Sequence, residues 1–191
     1  MARGDSHMTL PIRSLLSGCA ALAFIAALPL AARAQYTWFA SAGGGATFPS
    51  ASAAMSTGWL AEASAGVTLP GNVIALRLVG TYGRNKMKPE AAGMPAGFPA
   101  ETDRSLGLMG GVMIMPDLDR DLIPYLMLSG GAMNGRYRGS DPSFAWAAGA
   151  GARYLTDLAE FYVEGRFVRS TGASGHGDMV PLIVGVRYTK W

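Results

Sequence analysis

Cysteine is nearly missing from this 191-residue chain: Cys19 is the only one, and histidine occurs only at positions 7 and 176. That shortage excludes a disulfide framework and a clustered Cys/His metal centre. The glycine clusters Gly43 to Gly45 and Gly110-Gly111 contain neither a Gly-x-Gly-x-x-Gly motif nor a Lys-Ser/Thr pair, so phosphate cradling and a nucleotide cofactor are not expected. Asp117, Asp119 and Asp121 alternate along the chain but lack the glycine and terminal glutamate of a calcium loop, which leaves a solvated turn as their reading. Charged residues make up only 15% of the chain, with a net of +3. No basic run is interleaved with aromatics, and nucleic acid is not an expected partner.

What is present begins with an address. From Met8 the chain runs through Arg13 and an apolar stretch to Leu30, then Ala32-Arg33-Ala34, a small-x-small pattern that predicts a signal peptide over 8–34 and cleavage before Gln35. Ser17, Gly18 and Pro29 break the stretch too often for a permanent transmembrane helix. Residues 1–7 precede a plausible initiator and read as a tag or an upstream extension. Leu16-Ser17-Gly18-Cys19 matches a lipobox, but its main apolar run follows the cysteine, so lipid anchoring is disfavoured. Removing the leader takes Arg3, Arg13, Arg33 and Asp5 with it and leaves 13 Lys and Arg against 12 Asp and Glu. The mature 35–191 segment then has one domain's length and almost no net charge.

Within 35–191, alternating apolar segments are separated by breaks that switch between long and short. Pro49 to Gly58, Arg84 to Asp103, Asn134 to Ser143 and Ser170 to Asp178 are long; Pro70 to Asn72, Pro116 to Asp121 and Leu155 to Ala159 are short. Loops on one side and turns on the other predict an all-β, eight-stranded antiparallel up-and-down transmembrane barrel. Along each segment one parity is apolar. Phe144, Trp146, Ala148, Ala150, Ala152 and Tyr154 oppose Gly149, Gly151 and Arg153, and Leu182, Val184, Val186 and Tyr188 oppose Ile183, Gly185 and Arg187. The mid-strand charges Glu62, Arg77, Arg153, Glu164, Arg166 and Arg187 all fall on the other parity, which predicts a polar network in the lumen, because a charge facing lipid at mid-depth costs about 2–4 kcal/mol. Near Trp38 the residues are mostly small, and around Tyr125-Leu126-Met127-Leu128 either parity could face outward. Phe48, Trp59, Tyr82, Trp146 and Phe167 would form an outer aromatic belt, and Trp38, Tyr154, Phe161 and Tyr188 an inner one.

Ile123-Pro124-Tyr125-Leu126 followed by Ser129-Gly130-Gly131-Ala132, and Ala148 to Asp157 running into Tyr162-Val163-Glu164-Gly165-Arg166-Phe167, resemble the small bacterial outer-membrane β-barrels. That family includes the transmembrane domain of outer-membrane protein A, outer-membrane protein X and the opacity-type proteins. The resemblance implies residence in the outer membrane of a Gram-negative bacterium, contact with lipid and lipopolysaccharide, and a monomer. It also implies assembly through a terminal aromatic, for which Trp191 is the candidate. Tyr188 and Trp191 have opposite parity, and a bulge near Lys190 would reconcile them. The chain stops after its last strand, so the peptidoglycan-binding domain of some relatives is not expected.

The expected role is envelope integrity or surface interaction through extracellular loops, without enzymatic activity. An eight-stranded barrel is narrow enough for side chains to fill it. The alternative is a small porin-like channel with weak anion preference, on the count of four inward arginines against two glutamates. A more remote alternative is a lipid A-modifying enzyme, for which Ser174, His176 and Asp178 would be the candidates; their setting in a glycine-rich stretch favours a solvated loop tip instead. Arg84, Lys86, Lys88, Arg136 and Arg138 would gather at the outer rim, within reach of lipopolysaccharide phosphates. A soluble ligand-binding barrel would carry the reverse pattern, charges outside and apolar groups within.

Overall fold

The computed structural model describes residues 36–49, 56–86, 102–118, 120–135, 142–172 and 175–190. The chain divides into two units, Met1–Ala34 and Gln35–Trp191, and the described residues all belong to the second. The signal peptide, Cys19, Lys88, Asp119, Arg136, Arg138, Ser174 and Trp191 lie outside the described residues.

Eight strands follow in chain order: β1 (Thr37–Pro49), β2 (Gly58–Thr68), β3 (Ile74–Lys86), β4 (Thr102–Ile114), β5 (Leu122–Gly135), β6 (Ser143–Leu155), β7 (Glu160–Gly172) and β8 (Gly175–Lys190). Each pairs antiparallel with its sequence neighbours, and β8 returns to β1 through Trp38↔Lys190 to Pro49↔Met179, closing the barrel. Closure leaves no edge strand with unpaired backbone, which is the condition for a sheet to sit in hydrocarbon. Turn chemistry agrees with the topology. Between β2 and β3, Pro70 presets the first central position and Gly71, at φ 90°, occupies the second, while Asn72 N–H donates to the Leu69 carbonyl at 3.1 Å.

Six of the seven expected separators fall between strands where the composition placed them, to within a residue or two at the strand ends. The exception is Ser170 to Asp178. There β7 and β8 continue as a paired ribbon through Thr171↔His176 and Gly172↔Gly175, so the segment read as a long loop is mostly strand. Glycine and serine scored as loop residues, but paired backbones need no particular side chain to continue a ladder.

Outward positions are exposed and apolar: Leu106, Leu108, Leu126, Leu128, Phe161, Leu182 and Val184 among them. The nine rings expected in two belts all stand on outward positions, and Trp59 packs against Tyr82 and Trp146 against Phe167 at ring separations of 5.7 Å. The undecided strands resolve. Phe39, Tyr125 and Met127 point inward and are buried, while Trp38, Leu126 and Leu128 face out. The interior is correspondingly less polar than expected. Met113, Met115, Ile123 and Met127 cluster with Phe39 towards the short-turn end, and Met109 and Met133 pack with Ala145, Ala147 and Val168 in the long-connection half.

Glycines opposite the inward rings act as sockets. A Cβ on Gly185 would sit 2.5 Å from Tyr162 Cζ and 2.5 Å from the Ala42 carbonyl oxygen, and one on Gly151 would sit 2.5 Å from Tyr125 Cζ. Because backbone as well as ring blocks the space, Gly185→Val is expected to cost about 3 kcal/mol, the upper end for overpacking. Urea unfolding in lipid vesicles measures it, with Gly165→Ala as the control, since nothing lies within 4 Å of a Cβ there.

Candidate functional site: a charge quartet across the lumen

Four of the charged residues singled out in the sequence meet in one closed cycle. Arg77 on β3 donates through Nη2 to Glu62 Oε1 at 2.6 Å and through Nη1 to Glu164 Oε2 at 2.8 Å. Arg166 on β7 completes the ring, donating through Nη2 to Glu62 Oε2 and through Nε to Glu164 Oε1. Every carboxylate oxygen therefore faces a guanidinium N–H, and the four side chains are between 0% and 4% exposed. Burial of four ions is tolerable only because each is both paired and hydrogen-bonded. Neutral groups complete the shell: Tyr125 OH donates to Glu164 Oε2 at 2.8 Å, Tyr162 OH to Glu62 Oε1 at 3.0 Å, and Arg77 Nε to Ser64 Oγ at 3.0 Å. Side chains from β2, β3, β5 and β7 are thus tied together across the barrel axis.

Arg153 and Arg187 do not join the quartet. They lie nearer the short-turn end around Glu160, with Arg153 Nη1 at 3.0 Å and Arg187 Nε at 3.5 Å from its Oε2. Thr189 Oγ1 donates to the other oxygen, and the Arg187 guanidinium stacks 3.6 Å over the Phe39 ring. Glu160 was not among the residues picked from the sequence, because it opens β7 and abuts a short separator, where a carboxylate reads as a turn residue. Its inclusion alters the charge count. Arg77, Arg153, Arg166 and Arg187 point inward against Glu62, Glu160, Glu164 and the buried Asp103, so the described lumen is balanced and the arithmetic behind an anion preference is gone.

Between the two ionic layers lies a void of about 10 Å³, bounded by Phe39, Ser41, Arg77, Met113, Tyr125, Tyr162 and Arg187. That is about the room for one water. A larger hollow of about 300 Å³ opens at the short-turn mouth, lined by Asp117, Arg120, Asp121 and Arg153 among others. No group of three or more His, Cys, Asp or Glu side chains able to hold a metal occurs among the described residues. Of the three residues considered for catalysis, His176 and Asp178 lie on β8, and both oxygens of Asp178 accept from Arg169, Nε at 2.8 Å and Nη2 at 2.7 Å. At the end of the described residues, β8 keeps regular register through Tyr188, Thr189 and Lys190 opposite Ala40, Phe39 and Trp38, with no bulge as far as Lys190.

A closed eight-stranded barrel with an apolar exterior has solved counterparts. Neisserial surface protein A matches with a TM-score of 0.55 and 17% identity, over 80% of this chain and 95% of that one. This chain has the fold of the small eight-stranded outer-membrane β-barrels. The N-terminal barrel domain of Pseudomonas aeruginosa OprF (TM-score 0.46, 17% identity, 82% and 100% covered) and Ail, the attachment invasion locus protein of Yersinia pestis (0.46, 10% identity, 80% and 98% covered), also align. No protein-family model matches the sequence, and no curated protein does. An apolar wall flanked by aromatic girdles on a closed barrel is the surface of an outer-membrane protein.

Proposed function

We propose that this protein is a plugged outer-membrane barrel, non-enzymatic, whose role is envelope integrity and surface interaction through the connections on its outer side. The observation that carries the reading is the Glu62–Arg77–Glu164–Arg166 cycle, which bridges opposite walls with a void of about 10 Å³ beside it. A conducting pore of this width would need its charges lining a wet path, each solvated from one side. Here they are spent on one another. Assembly through the C-terminal strand, with Trp191 as the recognised residue, belongs to the same proposal.

Planar-bilayer recording of the purified barrel tests it. Wild-type protein is expected to give no steady conductance, whereas the double substitution Glu62→Ala and Glu164→Ala, which empties the middle of the lumen, is expected to give brief, small openings. Large, steady wild-type currents would reject the plug and restore the porin-like alternative.

A further inference from the structure

The outer wall between β2 and β5 carries a combination found nowhere else among the described residues. Arg84 on β3 and Arg104 on β4 stand directly opposite one another in the ladder, both on the outward parity. Lys86 is the next outward residue on β3. Directly opposed like charges are about 4.5–5.5 Å apart at Cβ and destabilise a sheet unless something between them is negative. None of the ion pairs among the described residues involves Arg84, Lys86 or Arg104. The contrast on the far side of the barrel is informative, because there the outward cation Arg169 is matched by Asp178 on the neighbouring strand.

Below the two arginines the wall is hollowed. A shallow groove of about 790 Å³ is floored by Ala61, Ala63 and Gly80 and edged by Tyr82, Leu106 and Leu108. Register places Ala61, Tyr82 and Leu106 in one row, and the next outward row towards the long-connection end is Trp59, Arg84 and Arg104. The cations therefore sit one pleat repeat, about 7 Å, above the apolar groove on the same face. Trp59 and Tyr82, packed in a tilted pair with centroids 5.7 Å apart, mark that level as the membrane interface. Anionic headgroup above and hydrocarbon below is the profile of a lipid molecule. The end in question is the one with the connections 50–57 and 87–101, the extracellular side for a barrel of this type, where the outer leaflet is phosphorylated glycolipid.

We infer that this face is a seat for one outer-leaflet glycolipid: Arg84, Arg104 and Lys86 take a lipid A phosphate, and the Ala61–Ala63–Gly80 groove takes one of its acyl chains. The proposal rests on membrane residence and is independent of whether the lumen is plugged. Two guanidiniums converging on one phosphate supply charge-assisted, bidentate contacts, and the bound anion removes their mutual repulsion.

Native mass spectrometry of the full folded chain, titrated with bisphosphorylated lipid A, with its dephosphorylated form and with phosphatidylglycerol, tests the assignment. Wild-type protein is expected to bind bisphosphorylated lipid A roughly ten-fold tighter than either comparison lipid. The R84Q/R104Q variant is expected to lose that preference. Gly80→Leu fills the groove, where an added Cβ meets nothing closer than the Ala63 carbonyl oxygen at 3.9 Å, and is expected to weaken all three lipids several-fold. Heat-modifiable gel mobility verifies that both variants are folded, and membrane flotation checks residence separately, so a failure of the lipid site is distinguishable from a failure of the barrel reading. Equal binding of the three lipids, a preference that survives R84Q/R104Q, affinity untouched by Gly80→Leu, or a second copy of the chain cross-linking at position 80 would each overturn it.

Discussion

Glu164→Gln is expected to cost about 3–5 kcal/mol of barrel stability, the range for removing one partner of a buried, hydrogen-bonded ion set. The carboxylate accepts from Arg77, Arg166 and Tyr125, and its side chain is 0% exposed. Glutamine keeps the shape but removes the charge, and its amide turns a donor towards guanidiniums that are themselves donors only. Two arginines would then share Glu62 alone. Urea unfolding in vesicles, followed by tryptophan fluorescence, reads the loss. The double variant E164Q/R77Q should lose less than the two single variants combined, because taking away a cation with an anion returns the site to neutrality. A Glu164→Gln loss below about 1 kcal/mol would mean that lumen water, not the quartet, solvates these ions.

Much of this was legible in the residues, and the places where legibility failed have physical causes. In β6, β7 and β8 the outward set is apolar without a charge at mid-strand while the inward set carries Arg153, Glu164, Arg166 and Arg187, so parity separates the faces. In β4 and β5 the inward set includes Met109, Met113, Met127 and Met133, and with apolar residues on both faces the period-two signal vanishes. The quartet's members could be named because a charge in mid-strand has only one tolerable direction. Its wiring could not, since Glu62 and Arg166 lie 104 positions apart and meet only when closure brings β2 and β7 face to face across the lumen. Glu160 escaped notice for a related reason: at a strand's first residue, nothing in the sequence distinguishes a carboxylate aimed inward from one left in the turn. Tyr162 shares the inward parity of Glu164 and Arg166, and the facing of Tyr125 is open in the sequence; that both hydroxyls reach the quartet follows only once Gly151, Gly43 and Gly185 make room for the rings.

The assignment of outside to hydrocarbon has its own decisive prediction. Leu128 lies half-way along β5, faces outward at 62% exposure, and is flanked in register by Val112 and Ala148. Leu128→Arg is expected to cost about 2–4 kcal/mol, whereas Leu122→Arg, at the strand's start, is expected to cost about 0–1 kcal/mol. Leu122 is 57% exposed and pairs in register with Tyr154, a ring of the inner belt, from which an arginine can reach water with its long stem. The comparison is informative because the two leucines are almost equally exposed and share one strand and one face. In water the substitutions would be nearly equivalent and nearly free, as surface changes usually are. Only a medium whose polarity falls between the strand's end and its middle separates them, so equal costs in vesicle unfolding would remove the membrane from the account of this wall.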